Sequence, residues 1–219
     1  VPAISPRQLT DAIADAISEC GASSVLLSGI RAHPRKFAIS DASESILLWV
    51  YAWTLTPGGR PQLRNEYRIQ MTGVSSPLPL NPSGPTIIIG YEPNLHMFAG
   101  FDIQLHRIFT TGSPSVQVNI RSLHEALQNG LAFHRKENSE TTVAIRPDQI
   151  LTYIRNSESL HRNARNTPTL RVLRTASSCE PLTEAQLSHL SRERRRLVQT
   201  ISRASRDANF REKVLTAYG

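Results

Sequence analysis

The sequence predicts an α+β fold: a mostly antiparallel β pseudo-barrel with flanking helices, followed by a helical basic linker. Three observations carry that expectation. Eight segments between residues 23 and 146 alternate polar and apolar residues with period two and are rich in β-branched and aromatic side chains. Turn residues separate them, without the regular strand–helix alternation of a parallel sheet. Helical periodicity is confined to residues 5–21, to two short stretches around 121–129 and 148–160, and to the C-terminal region.

The first helix is clearly punctuated. Ser5 can cap it, Pro6 suits its first turn, Leu9, Ile13, Ile17 and Cys20 form its apolar stripe, and Gly21 ends it. The strands follow as SSVLLSGI (23–30), RKFAIS (35–40), SILLWVYAWTLT (45–56), EYRIQMTG (66–73), PTIIIGY (85–91), MFAGFDIQLH (97–106), PSVQVNI (114–120) and TTVAIR (141–146). His33-Pro34, Pro57-Gly58-Gly59, SSPLPLNPSGP and Glu92-Pro93-Asn94 are the breaks between them. A helix ending at Gly130 and another capped near Asp148, with Ile150, Leu151 and Ile154 on its buried face, interrupt the series. Residues 1–160 are therefore expected to form one domain.

From residue 161 the texture changes. HRNARNTPTLRVLRTASSCEP is arginine-rich and shows no period, so residues 161–182 are expected to be a linker. Residues 183–219 resume as helix, with Leu187, Leu190, Leu197 and Ile201 as a narrow seam suited to a helical hairpin or a homodimer.

Charge follows the same division. Residues 1–160 hold 13 Lys+Arg and 13 Asp+Glu, whereas residues 161–219 hold 12 and 5, which accounts for the whole net charge of +7. Of the 25 basic residues only Lys36, Lys136 and Lys213 are lysines. Arginine's planar fork matches phosphate and the guanine edge, so a basic tail on a neutral domain points to nucleic acid. The two cysteines, Cys20 and Cys179, make neither a disulfide framework nor a zinc pattern. No apolar run reaches the ~20 residues of a membrane span.

Catalytic constellations are not legible. The seven histidines are scattered without metal-ligand spacing, and no phosphate loop, nucleophile elbow or Cys/His signature occurs. No metal or cofactor is expected. What stands out is polar chemistry at strand spacing. In RNEYRIQMT, alternation sets Tyr67, Ile69 and Met71 on one face and Glu66, Arg68, Gln70 and Thr72 on the other. Glu, Arg and Gln match the edges of cytosine, guanine and adenine respectively, and the basic loop of Arg60 and Arg64 lies beside them. A solvated outer strand face is the alternative. The loop GIRAHPRKF, with Arg31, His33, Arg35 and Lys36, is a second candidate arm or an ordinary hairpin tip. Trp49, Trp53 and Tyr91 with Asp102 are candidates for a modified-base pocket, or for core aromatics beside a capping carboxylate.

Two resemblances sharpen this. RDANFREKVLTAYG resembles the helix that opens HNH endonuclease domains of bacterial restriction enzymes, on Arg206, Phe210, Arg211, Val214, Leu215, Ala217, Tyr218 and Gly219. IIIGYEPNLHMFAGFDIQLH, SPSVQV and TTVAIRPDQILTYIRN resemble modules found upstream of such nucleases, and RNEYRI resembles a strand of B3-like DNA-binding domains. The resemblance implies the N-terminal recognition domain of a bacterial, cytoplasmic, modification-dependent HNH restriction enzyme. It also implies that the nuclease itself lies beyond the C-terminal helix. The implied partner is double-stranded DNA, possibly carrying 5-methylcytosine, gripped between arms 31–36 and 60–70. A base-flipping reader like an SRA domain, and a helical dimerisation module, stay open.

Overall fold

The computed structural model describes residues 4–60, 62–110, 112 and 114–218; the side chains of Glu212 and Leu215 fall outside that description. Helix α1 (Pro6–Glu19) starts at a capping box in which Ser5 and Gln8 satisfy each other's backbone N–H, and it buries Leu9, Ile13, Ala16 and Ile17. The expected stripe is therefore its core face. Next come β1 (Ser23–Leu26), β2 (Arg35–Ser40), β3 (Ser45–Thr54), β4 (Thr56–Pro57), β5 (Glu66–Gln70), β6 (Thr86–Glu92) and β7 (Met97–Phe101). The short α2 (Ile103–His106), β8 (Ser115–Asn119), α3 (Ile120–Asn129), β9 (Leu131–Arg135) and β10 (Thr141–Ile145) complete the sheets. Helices α4 (Ile150–Ala164), α5 (Thr167–Ser177), α6 (Glu184–Ser188) and α7 (Arg192–Tyr218) close the chain.

The strands form two sheets. Seven lie in the order β1-β2-β3-β6-β7-β10-β9, antiparallel except for the β3–β6 pair, and three lie in the order β4-β5-β8. Both sheets have open ends, so the described residues form no closed barrel. Period two specifies which face each residue takes but not how the ends of a sheet meet. The chain changes sheets at Leu55, whose N–H still donates to Tyr91 O at 2.8 Å while Thr56 already pairs with Arg68.

Alternation along the central strands supplies two cores. Leu48, Val50 and Ala52 of β3, with Ile87, Ile89 and Tyr91 of β6, face α1, α4, α5 and α7. Tyr51, Trp53 and Ile88 face the smaller sheet and α3, where Ile69, Val116 and Val118 are buried. Central strands buried on both faces read as continuous apolar runs, as in TIIIGY. Gly100 leaves the space that the ring of buried Tyr153 fills, since a Cβ there would stand 2.2 Å from Tyr153 Cζ. Tyr153 Oη donates to His161 Nε2 at 3.0 Å, and His161 Nδ1 donates to Thr141 O at 2.9 Å.

Residues 161–182 are not a free linker. His161–Ala164 finish α4, Asn166 caps α5 by accepting from Thr169 N, and Leu170, Val172, Leu173 and Ala176 enter the first core. Asn-Thr-Pro is a helix start as well as a loop signature, and the short stripe behind it is hidden among arginines. The leucine seam is also spent within the chain. Leu197 and Ile201 are buried, and Leu187 and Leu190 are half-buried against the same core. The far end of α7 stays uncovered, with Phe210 and Tyr218 exposed.

Candidate nucleic-acid interface

The three-stranded sheet has a chemically divided surface. Ile69, Val116 and Val118 point inward, and the intervening residues point out. Register sets Thr56, Arg68 and Gln117 in one row across the three strands, with Glu66 opposite Asn119 and Gln70 opposite Ser115 on either side. Gln70 is exposed, while Glu66 and Arg68 are half-buried. The face offers a guanidinium, amides, a carboxylate and hydroxyls, with no apolar side chain among these paired positions.

One end of this face is organised by Glu66. Arg60 Nε donates to Glu66 Oε1 at 3.1 Å and Arg60 Nη2 to Glu66 Oε2, a two-pronged pair. The carboxylate presses on the backbone at Gly58, where a Cβ would stand 2.4 Å from Glu66 Oε1. Arg64 is exposed beside it. Neither Arg64 nor Arg68 makes an ion pair with another described residue.

Between this loop, β8 and the β9–β10 turn lies a cleft of about 640 Å³, lined by Arg60, Arg64, Glu66, Gln117, Asn119, His134, Lys136 and Asn138, among others. Its far wall is anchored by buried Glu140, which accepts from His106 Nε2 at 2.7 Å and Lys136 Nζ at 2.8 Å. Burial alone would raise that carboxyl, but His106 and Lys136 outweigh it and pull it down to about 2. Burial, with Arg174 and Lys136 nearby, lowers the His134 imidazole below its ordinary value. Gln117, Asn119, His134, Lys136 and Asn138 were not singled out from the sequence. Alternation in SVQVN could have shown the first two. His134 comes from β9, and Lys136 and Asn138 from the turn after it, on the other sheet, where no local pattern places them.

The second arm divides. Arg31 is exposed. His33 stacks on Trp53 with centroids 4.8 Å apart, and burial, with Arg35, pushes its imidazole down to about 4. Trp53 Nε1 donates to Thr72 O at 3.1 Å, and Gly73 lies beside the His33 ring, so this loop adjoins the far end of β5. Arg31 and His33 therefore sit past one end of β5, and Arg60 and Arg64 past the other. Arg35 corrects the expectation for it. It is only 2% exposed, with Nε donating to Thr10 Oγ1 at 3.1 Å and Nη1 to Ala52 O at 3.3 Å. The side chains of β2 alternate, and Arg35 takes the inward place that its charge would not suggest. Lys36 lies over the Trp49 ring, 4.4 Å from its centroid.

The residues expected as one modified-base pocket are separated. Trp49 and Trp53 share a face of β3, while Tyr91, next to Thr54 in the parallel register, packs into the core on the opposite face. Tyr91 Oη bonds His96 Nδ1 at 2.9 Å. Asp102 caps α2 by accepting from Gln104 N at 3.0 Å and pairs with Arg165 Nη2 at 2.5 Å. It lines a different cavity of about 460 Å³, with Phe101, Tyr153 and His161. Pro61 of the first arm and Gly219 of the C-terminal motif lie outside the described residues.

Among the described residues, no group of three or more His, Cys, Asp or Glu is placed to hold a metal ion, and no helix is long and apolar enough to cross a membrane. Residues 46–154 match the model of a family described as Methylase-associated X1. The matched span runs from β3 into α4, so it contains the whole three-stranded sheet and both walls of the cleft. Comparison with curated proteins and with solved structures gives no match.

Proposed function

From the likeness of residues 46–154 to a methylase-associated family, we propose that this chain recognises double-stranded DNA in a modification-linked restriction system. One observation carries the reading: the polar row of Thr56, Arg68 and Gln117, with Glu66 and Gln70 beside it, and with exposed Arg31 past one end of the sheet and Arg60 and Arg64 past the other. Five-residue β5 is about 17 Å long at ~3.4 Å per residue, comparable with the ~12 Å major groove and its phosphate walls. Arg68 would fork onto a guanine edge, and Gln70 or Gln117 would meet adenine. Arg60 would hold the Glu66 carboxylate in place at the end of the row. Arg31 and Arg64 would hold phosphates, and the exposed arginines of α7 would add sequence-independent affinity. Two arms about a reading strand would correspond to a B3-like arrangement.

A panel of labelled duplexes, with and without 5-methylcytosine, titrated at two salt concentrations tests this. Selective binding that weakens steeply with salt is expected; binding indifferent to sequence, methylation and salt overturns it. A second reading, capture of an extruded base, is favoured by the Asp102 cavity, whose volume exceeds that of a nucleobase. Rising 2-aminopurine fluorescence on binding would support it, and an unchanged signal would leave groove reading alone.

A further inference from the structure

The large sheet ends at β1 and β9, and the two edges are treated differently. At β9 the outward carbonyl of Phe133 accepts from Arg174 Nε at 3.1 Å and Nη2 at 2.9 Å, so α5 covers that edge. At β1 the segment Ser23-Ser24-Val25-Leu26-Leu27-Ser28 carries no charge and no proline, the usual protections of an edge strand. Leu27 N donates to Lys36 O at 2.7 Å, which sets the alternation of the pair. Ser23, Val25 and Leu27 exchange bonds with β2, so Ser24 and Leu26 turn their N–H and C=O toward the open edge.

The adjoining face is apolar. Val25, Ala38 and Leu47 share one row across β1, β2 and β3, next to a row ending in Lys36 and Trp49. Val25 is 61% exposed, Leu27 56%, Leu47 46% and nearby Ile30 43%. Together they expose roughly 350 Å², about the size of the largest apolar patch on a typical monomer. The smaller sheet covers this side of the large sheet at Tyr51 and Trp53 but leaves these rows open.

We infer that β1 pairs antiparallel with β1 of a second copy, joining two seven-stranded sheets across a twofold axis. The occupant follows from self-complementarity. An uncharged edge meets an identical edge with no like charges opposed, and Val25 and Leu27 extend the partner's apolar rows. The ends of the strand are also complementary. The Ser23 end adjoins the turn of Asp41 and Glu44, two carboxylates sharing the single cation Arg155, whereas the Leu27 end adjoins Lys36. Antiparallel pairing brings each acidic turn toward the partner's Lys36. Edge pairing covers the outward backbone groups of Ser24 and Leu26 and the flanks of Val25 and Leu27, and leaves Leu47 and the face of the sheet open, so the interface is small and a weak dimer, on the order of tens of micromolar, is expected. This surface replaces the leucine seam of the C-terminal helices, which is buried within the chain. The association needs no DNA.

Sedimentation velocity of the whole chain, without DNA and in 0.5 M salt, tests it over about 1–100 μM. The wild type should pass from monomer to dimer. Val25→Lys and Leu27→Lys, both at exposed positions, should each weaken the dimer at least ~10-fold, because the short twofold strand pair places a lysine from each copy within a residue or two of the axis. Ser24→Pro, which removes an outward N–H without breaking a bond to β2, serves if either variant loses its circular dichroism melt. A wild type monomeric at ~100 μM, or a dimer that survives these substitutions in folded chains, overturns the inference.

Discussion

Arg68→Ala is the most discriminating perturbation of the proposed reading face. Arg68 sits at the centre of the smaller sheet between Thr56 and Gln117, half-buried and without an ion pair to another described residue. Its removal should leave the fold within ~0.5 kcal/mol of the wild type, as for surface positions outside a network. If its fork reads a guanine, binding to the preferred duplex should fall by about 1–3 kcal/mol, or roughly 5- to 150-fold in Kd. Binding to a scrambled duplex should barely change. Arg64→Ala is the control, since Arg64 is exposed in the loop beside the face and is assigned to phosphate. It should weaken both duplexes alike and make the log–log salt slope shallower by ~0.9. Fluorescence anisotropy at three salt concentrations, on a duplex selected from a randomised library and on its scramble, measures all of these quantities. Equal losses on both duplexes for Arg68→Ala, or no loss, would refute the argument that this strand face specifies bases.

Other positions separate structure from recognition. Arg35→Ala should cost ~2–4 kcal/mol in urea denaturation, because it strips the buried partners Thr10 and Ala52, whereas Arg31→Ala should leave stability unchanged and weaken DNA binding. Gly100→Ala should destabilise by ~3 kcal/mol or more, because the new Cβ stands 2.2 Å from the Tyr153 ring; a thermal melt within a degree of wild type would contradict that packing. Glu140 is held at about 2 in the fold, below its ordinary 4.5. The stability it contributes is therefore complete above pH ~4.5 and is lost as pH falls toward ~2. Glu140→Gln should flatten the urea midpoint's dependence on pH in that window, and an unaltered profile would count against the His106–Glu140–Lys136 network.

The legibility of the chain varies element by element. Ser5, Pro6 and the four-residue spacing of Leu9, Ile13 and Ile17 are local signals, and α1 forms where they place it. Period two in EYRIQ likewise sends Ile69 inward and leaves Glu66, Arg68 and Gln70 on the outer side. Arg35 defeats the same reasoning. A charged residue on an alternating strand is assigned to solvent by composition, but Thr10 and the carbonyl of Ala52 supply partners from distant elements. Trp53 and Tyr91 look like neighbours in an aromatic set until the parallel pairing of β3 with β6 puts them on opposite faces.

The amino-acid order carries the local features: the start of α1, the face that each residue of β3 and β5 takes, and where positive charge accumulates. Those depend on backbone geometry over a few residues, and the sequence carries them directly. Long-range packing splits the ten strands of the described residues into two open sheets, makes a core helix of an arginine-rich stretch, and brings β8 and the β9–β10 turn to complete a cleft beside Arg60 and Glu66. Each of these is a pairing between segments far apart in the chain. Such a pairing is set by which apolar faces can be buried together, and no local period encodes it.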